Sequence, residues 1–449
     1  MKYATINPVN NQTIKQFDFD AFPNLDVSVN AFNQWRKLSV NERGVYLQKV
    51  ADVLEKGKKK YAELITLEMG KPLSEAEYEI NKVLSAFEYY IKNAPKFLQD
   101  EPVQTNASKS YIRFEPLGVI FSVMPWNFPF WQVFRFAIPT LIAGNVSILK
   151  HSPNVPQCSK AIENLFVEAG VPDGVFKNYF LTNDDASKLI ADSRIMGMSF
   201  TGSDTTGSIL ASQAGKHIKK CVMELGGNDA FIVLPGADLD FAIAGAIKSR
   251  SINSGQSCNA AKRFIIVESE IEAFTNKLIA TVKSLKVGDP MDPTTNVGPL
   301  ARKDLKEKVE KQIADSIVAG AVAHGNIDVP ELGNFVSPVV LTGVKHGMPA
   351  FDEEIFGPVW SVISVKDENE AIACANNSVY GLGASIWTAD KTAAERFVSE
   401  LEAGNVFIND IVKSDARIPF GGTKRSGFGR ELSEHGLMEF VNIKTVYIN

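Results

Sequence analysis

The stretch Asn253-Ser254-Gly255-Gln256-Ser257-Cys258 sets one cysteine behind a glycine, in a segment with neither helical nor strand periodicity. A cysteine thiol is the side chain closest to a nucleophile at neutral pH, because a free pKa of about 8.5 leaves a few per cent thiolate. A lone cysteine is also a common small core residue, and the stretch alone does not separate the two. Glu224 lies 34 residues earlier, inside the apolar run Cys221 to Leu225 and just before Gly226-Gly227. A carboxyl in such a run is either a charge facing an edge or a buried acid with a raised pKa, suited to general-base work. Asn127 sits in the rigid aromatic turn Pro125-Trp126-Asn127-Phe128-Pro129. Its amide could donate to a developing oxyanion together with the Cys258 backbone N–H, or could simply satisfy the turn.

Two further signals concern phosphate. Phe200-Thr201-Gly202-Ser203-Asp204-Thr205-Thr206-Gly207 follows an apolar strand and opens a helical stretch. Glycines there let a backbone approach a pyrophosphate, and a helix N-terminus favours its charge. The Gly-x4-Gly spacing is neither the usual dinucleotide fingerprint nor a Walker loop, so a plain turn stays open. Lys150 ends the strand-like run Asn145 to Leu149, where ligands bind in doubly wound sheets; a surface lysine is the alternative.

The elements that must position these residues fall into three parts. Val27 to Leu98 reads as helices, with Val45, Val50, Val53 and Leu54 at helical spacing. Ser74 and Glu77 make a capping-box start for the last of these, whose charges read as a solvated face. Ser110 to Glu115 alternates as a half-exposed strand or hairpin arm. From Gly118 to about 225, buried apolar runs alternate with helices, as in a doubly wound α/β domain with a mostly parallel sheet. A second such alternation starts at Asp229. Gly421 to Gly429 reads as a flexible basic loop, and the β-rich Val441 to Asn449 as either a last strand or one that pairs with another subunit.

Bulk properties narrow the class. A chain of 449 residues exceeds one ordinary core and implies two or three domains. With 45% hydrophobic and 22% charged residues it is globular in composition. A net charge of −5 offers no surface for nucleic acid or an anionic membrane. The polar, turn-rich start argues against a signal leader, and no apolar run is long enough to span a bilayer. Four dispersed cysteines (Cys158, Cys221, Cys258, Cys374) fit a reducing cytoplasm better than a disulfide framework. Five histidines without ligand spacing argue against a metal site.

Taken together, the motifs resemble the aldehyde dehydrogenase superfamily over nearly the whole chain. The resemblance rests on Pro125–Pro129, on Phe200 to Gly207, on Met223-Glu224-Leu225-Gly226-Gly227 and on Gly255 to Cys258. It also rests on Glu353-Glu354-Ile355-Phe356-Gly357-Pro358 and on Pro419 to Glu431. The features Lys150 to Asn154, Ala261 to Ile265 and Ser414 to Arg417 resemble bacterial NAD(P)-dependent succinate-semialdehyde dehydrogenases within it.

The resemblance implies an α/β fold of two Rossmann-like domains with a small β bridging element. Residues 1–96 and 118–226 would bind cofactor, 227–428 would be catalytic, and 97–117 with 429–449 would bridge subunits of a homodimer or homotetramer. It implies that Cys258 attacks the aldehyde, that Asn127 holds the oxyanion, and that Glu224 activates water. Trp126, Lys150, Ser152, Gly202, Ser203, Gly207, Glu354 and Phe356 would hold NAD or NADP. Pro153 stands where many NAD-preferring members carry a glutamate, so NADP should be accepted. Arg135, eight residues after Asn127, matches an arginine of the succinate-semialdehyde enzymes; pairing with an acid is its other reading. Their second arginine is Ile252 here, which leaves Arg417 as a substitute beside Phe420. A broad enzyme of neutral aldehydes is the alternative within the fold. A CoA-acylating relative lacks the general base, a decayed relative would lack the thiol or the acid, and a thiol hydrolase would want a histidine near Cys258.

Overall fold

The apolar run from Val119 has no polar face, so it is stable only with elements packed on both sides. In the computed structural model, which describes residues 2–325 and 327–449, it is the central strand of such a layer. Strands Phe176–Asn178, Val146–His151, Val119–Met124, Ile195–Thr201 and Lys220–Glu224 lie parallel in that spatial order. The strand order reverses between Val119–Met124 and Ile195–Thr201, the kind of crevice where doubly wound sheets bind ligands beyond their strand C-termini.

Helices Leu25–Trp35, Val40–Lys56, Lys58–Met69 and Leu73–Phe97 share one core with this sheet. The expected capping box at Ser74 and Glu77 does not form. The helix begins one residue earlier, behind Pro72, and the Leu73 N–H goes to the Pro290 carbonyl. The capping box of this region is instead Ser39 with Glu42.

The second sheet contains Val339–Thr342, Val359–Val365, Ala261–Val267, Asp229–Val233, Gly383–Trp387 and Asn405–Ile408, in that order and parallel. Val322–His324 adds an antiparallel edge. Separate apolar clusters cover its two faces. Val412, Ala416, Phe420, Leu432 and Phe440, late in the chain, pack into the core of the first sheet rather than these. No helix of the described residues is long and apolar enough to cross a membrane.

Two expectations about the end of the chain resolve differently. The glycine-rich segment is not a loose loop. Thr423–Lys424 pairs with Tyr380–Gly381, and Gly427–Phe428 runs antiparallel to Met223 and Glu224. Gly427 (φ 118°) is required there, because a Cβ would stand 1.9 Å from the Met223 carbonyl oxygen. The last strand, Val441–Ile448, pairs along its whole length with Lys109–Pro116 and forms the outer edge of a three-stranded sheet.

One buried ion pair sets the turn before helix Trp131–Ile142. Lys71 Nζ and Glu79 Oε2 are 2.5 Å apart and both side chains are fully buried. Glu79 Oε1 also accepts the Phe130 and Trp131 N–H groups at 2.8 and 2.9 Å, and Lys71 lies 3.8 Å from the Phe128 ring centroid. Replacing Lys71 by Met leaves the Glu79 charge buried without a countercharge. The expected loss is about 3–5 kcal/mol in urea unfolding followed by tryptophan fluorescence; an unchanged midpoint would show that the pair contributes nothing.

Candidate active site

The thiol loop is built from an unfavourable backbone. Asn253 (φ 54°, ψ 37°), Ser254 (φ 55°, ψ 32°) and Gly255 (φ 80°) are consecutive left-handed residues at the end of helix Leu239–Ser251. Such residues persist only where surroundings over-determine them. Here Asn253 N donates to Glu75 Oε2 (2.6 Å), and its Nδ2 donates to the carbonyls of Asn127 (2.7 Å) and Gln256 (3.0 Å). Ser254 Oγ donates to the Gly298 carbonyl (2.9 Å), and Gln256 Oε1 accepts from Ala301 N (2.9 Å). At Gly255 a Cβ would stand 2.2 Å from the Gly357 carbonyl oxygen, so only glycine fits.

The turn ends three residues before Cys258, at the N-terminal end of strand Ala261–Val267, facing the C-terminal ends of the first sheet. Lys262 Nζ collects the carbonyls of Ser257 (3.0 Å), Cys258 (2.5 Å) and Ala260 (3.1 Å).

Glu224 ends strand Lys220–Glu224 and is fully buried, and neither of its carboxylate oxygens accepts a hydrogen bond. Arg135 Nη2 approaches it to 3.7 Å, while Arg135 Nε pairs closely with Glu431. Burial pushes the Glu224 carboxyl well above the usual carboxylate range, Arg135 pulls it down and Glu431 raises it. Burial also pushes the Cys258 thiol up to about 11, against the pull of Arg135 and then Lys262. Asn127 uses one amide N–H on the Gln256 carbonyl (3.2 Å), which leaves its second donor.

Cys258 stands where two cavities meet, and Gln132 is the other residue common to both. The larger, about 780 Å³, is lined by Trp126, Lys150, Ser152, Gly202, Ser203, Glu354 and Phe356 among others. Trp126 and Phe356 meet edge to face at 5.9 Å. Ser203 caps helix Asp204–Lys216 by accepting the Thr206 N–H. Lys150 is buried, which lowers its pKa. Glu354 accepts the Gly227 N–H (3.0 Å) and lies 3.5 Å from Lys262. Gly207 does not line this cavity. It lets the helix approach Leu225, whose Cδ2 would lie 2.4 Å from a Cβ there. Glu354 is the one carboxylate side chain on this wall among the described residues, against Lys150, Arg302 and Lys308. A cavity of this size and sign fits a dinucleotide.

The second cavity, about 470 Å³, is lined by Arg135, Phe420, Trp131, Ile252, Lys82 and Ser414 among others. Arg135 is on its wall but committed to two carboxylates. Arg417 is exposed, pairs at two points with Asp415, and is not on the wall, because that pairing turns it outward.

Sequence reasoning missed Lys82. The residue is half-buried overall, but its ammonium is turned inward, 4.3 Å from the Trp131 ring centroid, and donates to Ser414 Oγ at 2.6 Å. Glu75, Glu79 and Lys82 follow one another at spacings of four and three, so they share one helix face beside the apolar stripe. That spacing was the available signal that these charges face inward. Glu431 carries no such signal and looks like a surface charge until its partner, Arg135, is in place.

The chain matches the aldehyde dehydrogenase family over residues 1–446 and belongs to that family. It is 48% identical to a probable succinate-semialdehyde dehydrogenase [NADP(+)] of Synechocystis sp., with all of both chains covered. It is 43% identical to succinate-semialdehyde dehydrogenase [NADP(+)] 1 of Mycobacterium tuberculosis, again over all of both. Among solved structures, succinic semialdehyde dehydrogenase from Streptococcus pyogenes in complex with NADP+ superposes with a TM-score of 0.96. The two are 38% identical, and 99% of each chain is covered.

The thiol's environment makes a sign-specific prediction. An acid whose pKa is raised is protonated below it, so thiolate grows with pH. Alkylation of Cys258 by iodoacetamide, followed by peptide mass spectrometry, should accelerate about tenfold per pH unit from 7 to 9. A rate already level at pH 7 would contradict the buried, neutral thiol.

Proposed function

We propose that this chain oxidises succinate semialdehyde to succinate with NADP+, and accepts NAD+ less well. The observation that carries the substrate is Lys82. It is a cation on the wall of the cavity that ends at Cys258, with no carboxylate ion-paired to it among the described residues. Lys82 and Ser414 would receive the substrate carboxylate while the aldehyde reaches the thiol. Arg135 then serves Glu224 rather than substrate. The names of the relatives support the same substrate and cofactor.

The chemistry follows from the residues. Cys258 thiolate forms a C–S bond to the aldehyde carbon, and the oxygen becomes an oxyanion. The Asn127 amide and the Cys258 N–H stabilise that charge. A nicotinamide held in the larger cavity would supply the hydride acceptor that oxidation of this adduct to a thioester requires. Glu224, once ionised beside Arg135, takes a proton from water. The resulting hydroxide attacks the thioester, the C–S bond breaks, and the acid leaves. Lys150 and the N-terminus of helix Asp204–Lys216 would hold phosphates, with Ser152 at the 2′-phosphate and Glu354 at a ribose. The edge strand Val441–Ile448, which exposes Ile443, Tyr447 and Ile448, supports a homodimer or homotetramer. Four free cysteines are in keeping with a cytoplasmic enzyme.

Lys82→Met should raise KM for succinate semialdehyde about 10- to 100-fold and leave a neutral aldehyde of similar length within about threefold. Burial first, and Arg135 second, lower the Lys82 pKa to about 7. The ammonium is therefore lost as pH rises through 7, and the acid-to-neutral preference should fall over the same range in initial rates. Equal losses for both aldehydes in the variant would refute the assignment. Separately, Pro153→Glu should lower kcat/KM with NADP+ at least about tenfold and with NAD+ far less. An unchanged ratio would move the 2′-phosphate away from Pro153.

A further inference from the structure

Lys262 is a fully buried lysine at the start of strand Ala261–Val267, and it touches no cavity wall. An ammonium has three donors, and here all three go to carbonyls of the thiol loop: Ser257, Cys258 and Ala260. The countercharge comes from elsewhere. Glu354 Oε1, on the cofactor cavity, lies 3.5 Å away, and that oxygen also accepts the Gly227 N–H. Lys262 thus stands between the carboxylate that faces the cofactor cavity and the peptide group of the nucleophile. A buried charge without good solvation acts on its neighbours more strongly than a surface one.

We propose that Lys262 is a positioning residue through which Glu354, and whatever engages Glu354 from the cofactor side, sets the reactivity of the Cys258 thiol. The proposal rests on reading Cys258 as nucleophile and Glu354 as a cofactor contact. With Glu354 free, its charge offsets that of Lys262, and the thiol feels a reduced positive field. When hydroxyl donors satisfy Glu354, the field of Lys262 on the loop is restored and the thiolate is favoured. The charged groups facing this region are Glu354, Asp229 and Arg250 around Lys262, and Arg135, Glu224 and Glu354 around Cys258. Asp229 is fully buried and keeps a second carboxyl near Lys262, but it is not on the wall of the larger cavity. Glu354 is therefore the partner of Lys262 that a cofactor can reach.

The test is the rate of Cys258 alkylation by iodoacetamide between pH 6 and 10, read by peptide mass spectrometry on the full chain, with and without saturating NADP+. Wild type should react faster with NADP+. Lys262→Met should slow the free protein about tenfold at pH 8 and abolish the NADP+ effect, with NADP+ affinity by calorimetry kept within about threefold. Glu354→Gln should speed alkylation in the wild-type background and change nothing in the Lys262→Met background. A role limited to holding the loop would not produce that dependence. If Glu354→Gln acts equally in both backgrounds, Glu354 acts directly on the thiol and the proposal fails. It also fails if Lys262→Met alkylates as wild type does, or if NADP+ leaves the wild-type rate unchanged. Should Lys262→Met not fold, Lys262→Gln, which keeps a donor but no charge, decides between the same outcomes. Failure of the underlying reading looks different: Cys258 would be alkylated with aldehyde oxidation intact.

Discussion

The site depends on a backbone that would not hold itself. Three left-handed residues, two of them not glycine, lie just before Cys258. Their hydrogen bonds come from helix Leu73–Phe97, from the aromatic turn at Asn127 and from the segment near Gly298. The segment at Gly357 supplies the steric limit. The conformation of the loop therefore depends on contacts from segments far apart in the chain. The same turn that aims the Asn127 side chain gives its carbonyl to Asn253, so Asn127 and the loop before Cys258 share one hydrogen-bonded unit.

Charge is the second constraint. Glu224 and Glu431 are both fully buried, and one guanidinium, Arg135, serves them both. Removing Arg135 would strand both carboxylates in a poorly solvated space, which is why Arg135 is better explained as their partner than as a free cation. An acid held this way is neither a fixed surface charge nor a permanently neutral group. Burial raises its pKa, Arg135 lowers it and Glu431 raises it again.

The interior is divided so that one thiol faces two cavities. The larger opens at the C-terminal ends of the first sheet and carries lysine and arginine with a single carboxylate side chain among the described residues. The smaller lies under helices Leu73–Phe97 and Trp131–Ile142 and mixes aromatic and aliphatic side chains with charged ones, among them Glu75, Glu79, Lys82 and Arg135. Cys258 and Gln132 form the shared wall. The two cavities thus reach the thiol with no other lining residue in common.

By itself, the sequence determined the two parallel α/β layers, because continuous apolar runs between helices have no other stable arrangement. It also determined the residue types of the thiol, the acid and the amide, since their local patterns are unusual at single positions: a cysteine behind a glycine, a glutamate in an apolar strand, an asparagine in a proline-bounded turn. Only the tertiary structure decided what the charged residues do. Arg135 and Arg417 look alike as free cations in the chain, yet one is buried between two acids and the other is paired with Asp415 at the surface. Lys82 and Lys262 look like ordinary helix and strand charges, yet one lines the smaller cavity and the other holds three carbonyls of the thiol loop. The order Gly421 to Gly429 acquires by pairing with Lys220–Glu224 was likewise invisible in its composition. The physical reason is common to all of them. Hydrophobic burial follows from local period, whereas the fate of a charge depends on which opposite charge or carbonyl the fold brings within a few ångströms, from anywhere in the chain.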